Sequence, residues 1–262
     1  MKIFVNGKAV EVETNSKVCD ILSGYNVFVR NGYGIDKNSL LVEGDKIIAV
    51  KKGEIPDEDN LKDMILSRNG EVSKRLESAC VCICGLGGLG SNIAQMLARL
   101  GVGSLILADF DVVDPTNLNR QNYYMDDIGS LKTDATARIL KKINPYINIV
   151  KKNVFVCEEN ILNIVQDADV VVEAFDNPKS KALLVNILLE QTEKYVVASS
   201  GMAGYGSSNM IRTSNPLKRL YLCGDNTSEA AESVSLMAPL VSVCAGHQAN
   251  AVLRILLGQF EI

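Results

Sequence analysis

The chain has 262 residues, a formal net charge of −4 and a pI near 5.2. Its length suits a large domain plus a small one, and its acidic balance argues against nucleic acid as the main partner. Its apolar runs are too short to span a bilayer, and Asn6, Gly7 and Lys8 interrupt the first of them, so we expect neither membrane insertion nor a signal peptide.

The first 53 residues have the pattern of a small β-sheet domain. The dipeptide Asn6-Gly7, placed between two short apolar runs, is the strongest local signal for a β-hairpin. A short helix is predicted from Ser16 to Leu22. The strands are predicted at Lys2–Val5, Ala9–Val12, Val27–Arg30 and Lys46–Val50.

Residues 54–78 are predicted to form a linker and a helix. The segment Glu54–Asn60 is acidic and charged, which is typical of a connection between domains. Leu61, Met64, Ile65 and Leu66 then have the spacing of one helix face. We therefore expect a second domain over residues 79–262.

The second domain alternates between strand and helix patterns. This alternation predicts an α/β fold with a Rossmann-like, mostly parallel sheet and helices on both faces. The Gly- and Ser-rich stretch from residue 201 to residue 208 is predicted to be flexible, and the region from there to Ala231 to be a substrate-facing or mobile segment. Beyond the first strand, strands are predicted at Ser104–Ala108, Ile147–Val154, Val170–Ala174 and Tyr195–Ser199, and helices at Ser91–Leu100, Thr133–Ile143, Glu158–Gln166, Lys179–Glu190 and Val241–Leu257.

A glycine-rich loop follows the first strand of this domain, which is predicted from the apolar run Val81-Cys82-Ile83-Cys84. Its four glycines are Gly85, Gly87, Gly88 and Gly90. Glycine permits a tight turn and lets the backbone approach a phosphate, and a helix beginning near Ser91 would direct N–H groups at that anion. Asp109 ends the next strand, about where dinucleotide folds place a ribose-binding acid. Together these features predict a nucleotide site.

Polar side chains downstream of Asp109 favour a triphosphate over a dinucleotide. They are Asn117, Arg120 and Lys132, and Asp111 and Gln121 are further candidate nucleotide-binding residues in the same connection. All leave the same strand, so they can gather at the carboxyl edge of the sheet where ligands bind. A triphosphate attacked at its α-phosphorus develops more charge than a bridging pyrophosphate, and Arg plus Lys plus a divalent metal can stabilise it.

Asp176 is the candidate metal ligand. It follows the buried strand pattern at Val170–Ala174 and would face the same crevice, where its carboxylate could hold Mg²⁺. Each of these roles has an alternative. Arg120 and Lys132 could be ordinary solvated charges. Asp176 could cap the following helix, and Asp111 could stabilise a turn without binding a nucleotide.

The order of these motifs resembles one family. Gly-Leu-Gly-Gly-Leu-Gly-Ser, Asp-Phe-Asp, Asn-Leu-x-Arg-Gln, Ile-Gly-x-x-Lys and Phe-Asp-Asn occur here as in the ThiF and MoeB adenylyltransferases, relatives of the ubiquitin-activating enzymes. The match begins near residue 65 and looks closest to a thiamine-pathway branch of ThiF.

The resemblance implies a role for each matching residue. The glycine loop would lie against ATP, Asp109 would bind the ribose hydroxyls, and Asp176 would coordinate Mg²⁺. The phosphates would be held by Asn117, Arg120 and Lys132. The family is homodimeric, and an Arg from the partner subunit reaches the triphosphate; Arg68 is the candidate here, with Arg75 as the alternative.

The first 53 residues are similar to the β-grasp fold of the ThiS sulfur carriers. A working carrier ends in a free Gly-Gly carboxylate, whereas here the chain continues through Lys51-Lys52-Gly53-Glu54. We therefore expect a fused domain that serves docking, stability or regulation and cannot be the substrate. The substrate would be a separate ThiS-like carrier with a Gly-Gly C-terminus.

Two features depart from the family pattern. Many members bind zinc through paired Cys-x-x-Cys motifs, but the seven cysteines here are irregularly placed, so no zinc is expected and free thiols in a reducing cytoplasm are indicated. Some members use a cysteine as acceptor, and Cys223, in what looks like an exposed loop, is the candidate, although an ordinary thiol is favoured. The single histidine, His247, is expected to pack in the final helix.

The leading hypothesis is an ATP-dependent adenylyltransferase that activates the C-terminal carboxylate of a sulfur carrier. A NAD-dependent oxidoreductase with the same fold is one alternative, and it would need a proton-transfer residue near the nicotinamide. A non-catalytic relative that binds ATP and docks a partner is the other.

Overall fold

The computed structural model describes residues 1–31, 33–54, 72–228 and 234–262. The chain divides into two compact units, Met1–Gly70 and Glu71–Ile262. The helical pattern expected over Leu61–Leu66 lies outside the described residues, as does Arg68.

The first unit is a five-stranded mixed sheet with one short helix. Asn6 and Gly7 both have positive φ, at 49° and 86°, which is the conformation that a tight hairpin turn requires. The strand order is β2-β1-β5-β3-β4, with β1 parallel to β5 and the other pairs antiparallel. Its elements are β1 (Lys2–Val5), β2 (Lys8–Glu11), α1 (Val18–Ile21), β3 (Val27–Arg30), β4 (Tyr33–Gly34) and β5 (Lys46–Val50).

One apolar cluster forms the core of this unit. It includes Ile3 from β1, Val18 from α1 and Ile47 from β5, each almost fully buried. The alternation of buried and exposed residues along β5 places one face of the sheet on this core. The predicted β-grasp architecture of the first unit is confirmed.

The second unit is built on a seven-stranded sheet of order β11-β12-β10-β9-β6-β7-β8. Neighbouring strands are parallel except for β11, which pairs antiparallel with β12. The strands are β6 (Cys80–Cys84), β7 (Ser104–Ala108), β8 (Asn148–Lys152), β9 (Val170–Glu173), β10 (Tyr195–Ser199), β11 (Arg212–Leu217) and β12 (Leu220–Gly224).

Helices cover both faces of this sheet, which confirms the predicted Rossmann-like class. On one face Val81 and Ile83 of β6 pack with residues of α3 and α7, and on the other Cys82 and Cys84 pack with residues of α5 and α6. Because side chains alternate along a strand, the cysteines of β6 serve as small apolar groups in the second cluster. The helices are α2 (Val72–Glu77), α3 (Gly88–Leu100), α4 (Lys132–Ile143), α5 (Ile161–Val165), α6 (Pro178–Gln191) and α7 (Ala238–Leu256).

The prediction of a substrate-facing or mobile segment over residues 201–231 missed two strands, although residues 201–203 and 226–228 line the cavity described below, and residues 229–231 lie outside the described residues. Arg212–Leu217 and Leu220–Gly224 form the edge pair β11 and β12, where the sequence suggested a mobile segment. The Gly- and Ser-rich stretch before β11 and Pro216 within it obscured the strand pattern, but an edge strand tolerates proline because it need not donate every ladder hydrogen bond.

Smaller errors concern helix boundaries. α3 begins at Gly88, earlier than the predicted Ser91, and α5 covers only Ile161–Val165 of the predicted Glu158–Gln166. α7 begins at Ala238, where Pro239 fits the first turn because that position needs no intrahelical N–H donor.

The connectivity defines the crevice of the sheet. β6 lies between β7 and β9 in the sheet. From β6 to β8 the strands are added on one side of β6, and from β9 onward they are added on the other side, so the strand order reverses at β6. In open parallel sheets ligands bind at such a switch point, beyond the carboxyl ends of the strands. The glycine loop that follows β6 lies at this point.

Candidate active site

The glycines of the loop after β6 have two kinds of surroundings. A Cβ on Gly90 would overlap the carbonyl oxygen of Gly85, and a Cβ on Gly85 would lie 2.7 Å from the carbonyl oxygen of Ala174. Gly85 also has a φ of +94°. These two positions need glycine for chain packing, whereas a Cβ on Gly87 would meet no atom closer than 3.9 Å. Gly85, Gly87 and Gly88 line a cavity.

Leu86, between Gly85 and Gly87, is hydrogen-bonded through both its N–H and its carbonyl group. The Leu86 N–H donates to Asp109 Oδ2 at 2.6 Å, and the Leu86 carbonyl accepts from Tyr123 Oη at 2.7 Å. Tyr123 is a buried residue whose supporting role the sequence did not reveal. The loop is therefore preorganised by side chains from two other segments.

Asp109 directly follows the carboxyl end of β7 and lines the cavity. Its Oδ1 accepts the Asp111 N–H at 2.7 Å, so each carboxylate oxygen has a backbone donor. Burial raises the pKa of Asp109, and the two N–H donors and the Lys132 ammonium oppose that shift. The carboxylate is fixed in position and retains lone pairs for hydroxyl donors.

Lys132 is the first residue of α4 and is almost completely buried. Its Nζ donates to Asp111 Oδ2 at 2.8 Å, and its backbone N–H donates to the Asp111 carbonyl at 2.9 Å. Asp111 therefore holds the ammonium of Lys132 at the cavity wall. Both residues line the cavity.

Arg120 and Gln121 line the cavity and each has one buried polar atom without a hydrogen bond to the described residues. Arg120 Nη1 donates to Asn119 Oδ1 at 2.8 Å, but its buried Nε has no partner among the described residues. Gln121 is buried, and its Oε1 likewise has no partner there. Buried polar atoms are normally hydrogen-bonded, so each of these two has an unused hydrogen-bonding capacity in a residue that lines the cavity.

Asp176 and Asn177 follow β9; Asn177 caps the next helix, and Asp176 lines the cavity. Asn177 caps α6, because its Oδ1 accepts the N–H groups of Lys179 and Ser180 at 2.9 and 3.2 Å. Asp176 is exposed on the cavity wall and has no hydrogen bond or ion pair with the described residues. The alternative role of Asp176 as the helix cap is thus taken by its neighbour.

These groups share one cavity of about 800 Å³ at the carboxyl edge of the sheet. Of the residues that the sequence proposed for the site, nine line it: Gly85, Gly87, Gly88, Asp109, Asp111, Arg120, Gln121, Lys132 and Asp176. Gly90 and Asn117 are not part of this lining. Asn117 Oδ1 instead accepts the Asp114 N–H at 3.2 Å in a short 3₁₀ turn.

Two family models match this chain. The ThiF family model matches residues 61–262, and the ThiS-like ubiquitin model matches residues 1–53. The chain belongs to the ThiF family. Its ThiF-family region contains the whole cavity described above.

Curated relatives of this ThiF-family chain include two adenylyltransferases. The adenylyltransferase and sulfurtransferase UBA4 of Candida glabrata is 30% identical over 209 residues, covering 76% of this chain and 48% of that protein. The molybdopterin-synthase adenylyltransferase of Escherichia coli is 31% identical over 187 residues, covering 70% of this chain and 75% of that protein. The chain spans about half the length of its UBA4 relatives.

Solved structures show the same ThiF-type fold. The E. coli tRNA N6-threonylcarbamoyladenosine dehydratase TcdA, in complex with ATP, superposes with a TM-score of 0.70 at 19% identity, covering 78% of this chain and 98% of that one. At that identity the likeness establishes the architecture.

Several cavity residues of this ThiF-family chain escaped the sequence reasoning. The ammonium of Lys181, on α6, lies 3.0 and 2.9 Å from the two carboxylate oxygens of Glu173 and 2.9 Å from Ser199 Oγ. Burial raises the pKa of Glu173, and Lys181 opposes the shift. The available signal was a charged residue, Glu173, at the end of a buried strand, with Lys181 eight residues later; Ser199 is 26 residues from Glu173 and belongs to another strand.

An aromatic pair forms another part of the cavity wall that was missed. Phe110 and Phe155 meet edge to face with ring centroids 5.2 Å apart, and both side chains are exposed. Both line the cavity, beside Val154 and Val156. Exposed aromatic surface next to Asp109 offers a flat, apolar contact for a planar ring.

The expectation that Cys223 lies in an exposed loop was wrong. Cys223 belongs to β12 and is completely buried, with Thr213 Oγ1 3.6 Å from its sulfur. Burial raises the pKa of Cys223 to about 11.

His247 lies in α7, and its Nδ1 is 2.9 Å from Thr213 Oγ1, in agreement with a packing role.

Within the described part of the chain, no group of three or more His, Cys, Asp or Glu residues is arranged to hold a metal ion. Over the same residues, no helix has both the length and the apolar character needed to cross a bilayer.

Proposed function

We propose that this protein is an ATP-dependent adenylyltransferase that activates the C-terminal glycine carboxylate of a ThiS-like sulfur carrier. One observation carries the proposal: residues from four separate segments, the glycine loop, Asp109, Arg120 with Lys132, and Asp176, line a single cavity. The adenylyltransferase names of the UBA4 and molybdopterin-synthase relatives support the same reaction type.

In this proposal the cavity orients ATP from its base to its phosphates. The exposed rings of Phe110 and Phe155 contact the adenine, and Asp109 accepts the ribose hydroxyls. The phosphates lie at the N-terminus of α3, where free N–H groups and the helix dipole favour an anion. Arg120 and Lys132 provide cations from the neighbouring wall.

The donor set at Asp176 fits Mg²⁺. This ion commonly binds through one or two carboxylates together with phosphate oxygens and water. Asp176 provides one exposed carboxylate without a competing partner among the described residues, on the same cavity wall. When bound with ATP, Mg²⁺ would neutralise part of the phosphate charge.

The reaction requires positioning and charge stabilisation from the protein. The carrier carboxylate is already ionised at neutral pH, so it attacks the α-phosphorus without a general base. Pyrophosphate leaves, and the product is a carrier acyl-adenylate. Arg120 and Lys132 would stabilise the charge that develops on the phosphates in the transition state.

The proposed domain organisation is a ThiS-like domain over 1–53, a connecting segment over 54–78 and the adenylating domain over 79–262. In the first domain β5 continues into Lys51–Glu54, where a turn is closed by the Lys51–Glu54 ion pair at 3.1 Å. The fused domain therefore offers no free glycine carboxylate after β5. We assign it a docking, stabilising or regulatory role.

We place the enzyme in thiamine biosynthesis as a cytoplasmic homodimer that acts on a separate carrier. The family resemblance supports the pathway and the dimer. The seven cysteines are all free, which supports a reducing compartment. Arg68 or Arg75 would reach the triphosphate of the partner subunit; Arg75 Nη1 donates to the Leu257 carbonyl at 3.0 Å within its own chain.

The decisive experiment combines the full chain, MgATP and candidate Gly-Gly carriers, followed by mass spectrometry of the carrier. A mass increase of one AMP on the carrier is expected. ATP binding without a carrier adduct or pyrophosphate release would instead identify a non-catalytic relative, and preference for NAD over ATP would identify an oxidoreductase.

Arg120→Ala tests the assignment of the phosphate-binding residues. It is expected to lower carrier-dependent pyrophosphate–ATP exchange by about 10²–10³-fold, because a transition-state charge loses its partner. The matched control is Arg99→Ala, an exposed arginine on α3 outside the cavity lining. Unchanged exchange in Arg120→Ala would show that the cavity is used differently.

A further inference from the structure

An ion pair at the wall of the cavity, between the buried Glu173 and the partly buried Lys181, has no place in the proposed chemistry. Glu173 is completely buried at the end of β9. Both its oxygens bind Lys181 Nζ, Oε1 also accepts the Phe175 N–H at 2.7 Å, and Oε2 faces the Ser199 N–H at 3.4 Å. Burying the Glu173 carboxylate is unfavourable unless its hydrogen bonds are well satisfied, as they are here.

Glu173 and Lys181 connect three elements at the carboxyl ends of the strands. Glu173 comes from β9, Lys181 from α6 and Ser199 from β10, and Lys181 Nζ also donates to Ser199 Oγ at 2.9 Å. Beneath them Gln248 of α7 donates to the Glu173 carbonyl at 3.1 Å. The carboxyl ends of two adjacent strands are thus tied together by one ammonium group.

The turn that carries Asp176 is fixed at both of its ends by this arrangement. On one side the Glu173 carboxylate holds the Phe175 N–H, and on the other Asn177 caps α6 while its carbonyl accepts the Lys181 N–H at 3.0 Å. The glycine loop packs directly against the turn, since a Cβ on Gly85 would lie 3.1 Å from the Phe175 ring.

We propose that Glu173 and Lys181 are positioning residues whose ion pair holds the Asp176 turn against the glycine loop. The ion pair thereby fixes the position of the Asp176 carboxylate relative to the phosphates that would bind at the N-terminus of α3. This inference rests on the proposed function to the extent that Asp176 faces Mg²⁺ bound with ATP. Lys181 acts through Asp176 and does not itself hold the nucleotide.

The test measures how the binding of a fluorescent ATP analogue to the full chain depends on Mg²⁺. In Lys181→Met the Mg²⁺ concentration for half-maximal binding is expected to rise about 10–100-fold, the usual effect of removing a group that orients a metal ligand. Binding in EDTA should match the wild type. The matched control is Lys179→Met, an exposed lysine on the same helix outside the cavity lining, with no expected change.

A double-mutant cycle separates positioning from a general structural role. Adding Lys181→Met to Asp176→Asn should cause no further rise in the Mg²⁺ requirement, because the group being positioned is already gone. An additive rise, an unchanged requirement in folded Lys181→Met, or weaker binding in EDTA would each overturn the inference.

Folding of the variants is controlled with a neutral pair. Lys181→Met alone leaves a buried carboxylate unpaired, so Glu173→Gln/Lys181→Met, which keeps an acceptor for the Phe175 N–H, is measured in parallel and should show the same Mg²⁺ shift. Because the readout needs no carrier, it remains valid if the wild type binds MgATP yet adenylates no carrier. In that case the proposed function fails and the positioning inference is still decided.

Discussion

Adjacent residues at the end of β9 differ in the partners they already have. Asn177 uses its side chain to cap α6, whereas Asp176 has no partner among the described residues. A carboxylate that is exposed in a cavity and already free of protein contacts can meet a cation without first breaking an ion pair. This contrast distinguishes Asp176 from Asp111, which is occupied by Lys132.

Asp176→Asn is expected to lower pyrophosphate–ATP exchange by about 10²–10³-fold at limiting Mg²⁺, because an amide oxygen carries no charge for the ion. Raising Mg²⁺ should recover part of the loss. The assay is isotope exchange over a Mg²⁺ series, with Asp126→Asn, an exposed aspartate outside the cavity lining, as the control. A loss that does not change with Mg²⁺ would argue against a metal role.

Cys223 shows how burial determines the reactivity of a thiol. With a pKa near 11, about one molecule in a thousand carries the reactive thiolate at pH 8, and the β12 position excludes solvent. Cys223→Ala is therefore expected to retain carrier adenylation, and iodoacetamide should leave Cys223 unmodified in the native chain while modifying it in urea. Rapid native alkylation, followed by peptide mass mapping, would contradict this.

At the scale of the element, the β6–loop–α3 unit combines packing glycines with a ligand-facing glycine. Gly90→Ala is expected to destabilise the protein by at least about 1–3 kcal/mol, because its methyl would overlap the Gly85 carbonyl. Gly87→Ala, whose nearest neighbour would be Gln121 Nε2 at 3.9 Å, should fold normally and bind ATP more weakly. Thermal unfolding with and without MgATP measures both effects, and equal destabilisation by the two changes would refute the distinction.

The sequence predicted the β6–loop–α3 unit well but did not predict β11 and β12, at one edge of the sheet, for a physical reason. The apolar run of β6, the glycines and Asp109 are local signals, and the predicted limits of β7 and β10 agree with those observed. β11 and β12 form a bulged pair with a shift between Ser214 and Leu217, so neither shows a continuous alternation of polar and apolar residues. Pairing with β10 gives β12 its strand conformation.

For the whole molecule, the fused ThiS-like unit raises the question of self-modification. The full chain incubated with MgATP labelled at the α-phosphate is expected to acquire no label, because β5 continues into a peptide and presents no glycine carboxylate. Adding a carrier with a Gly-Gly terminus should produce a labelled carrier. Label on this chain without a carrier would show that another carboxylate of the protein is activated.

Local patterns were sufficient to recognise the fold class, the ThiF family and nine of the residues that line the cavity. Turn glycines, strand alternation and helix spacing act over a few residues, so they can be read directly from the chain. The burial of Cys223 and the network of Glu173, Lys181 and Ser199 depended on folding, since Ser199 is 18 residues from Lys181, and Gln248 is 75 residues from Glu173. Contacts between distant residues depend on strand order, and no short segment of the chain encodes that order.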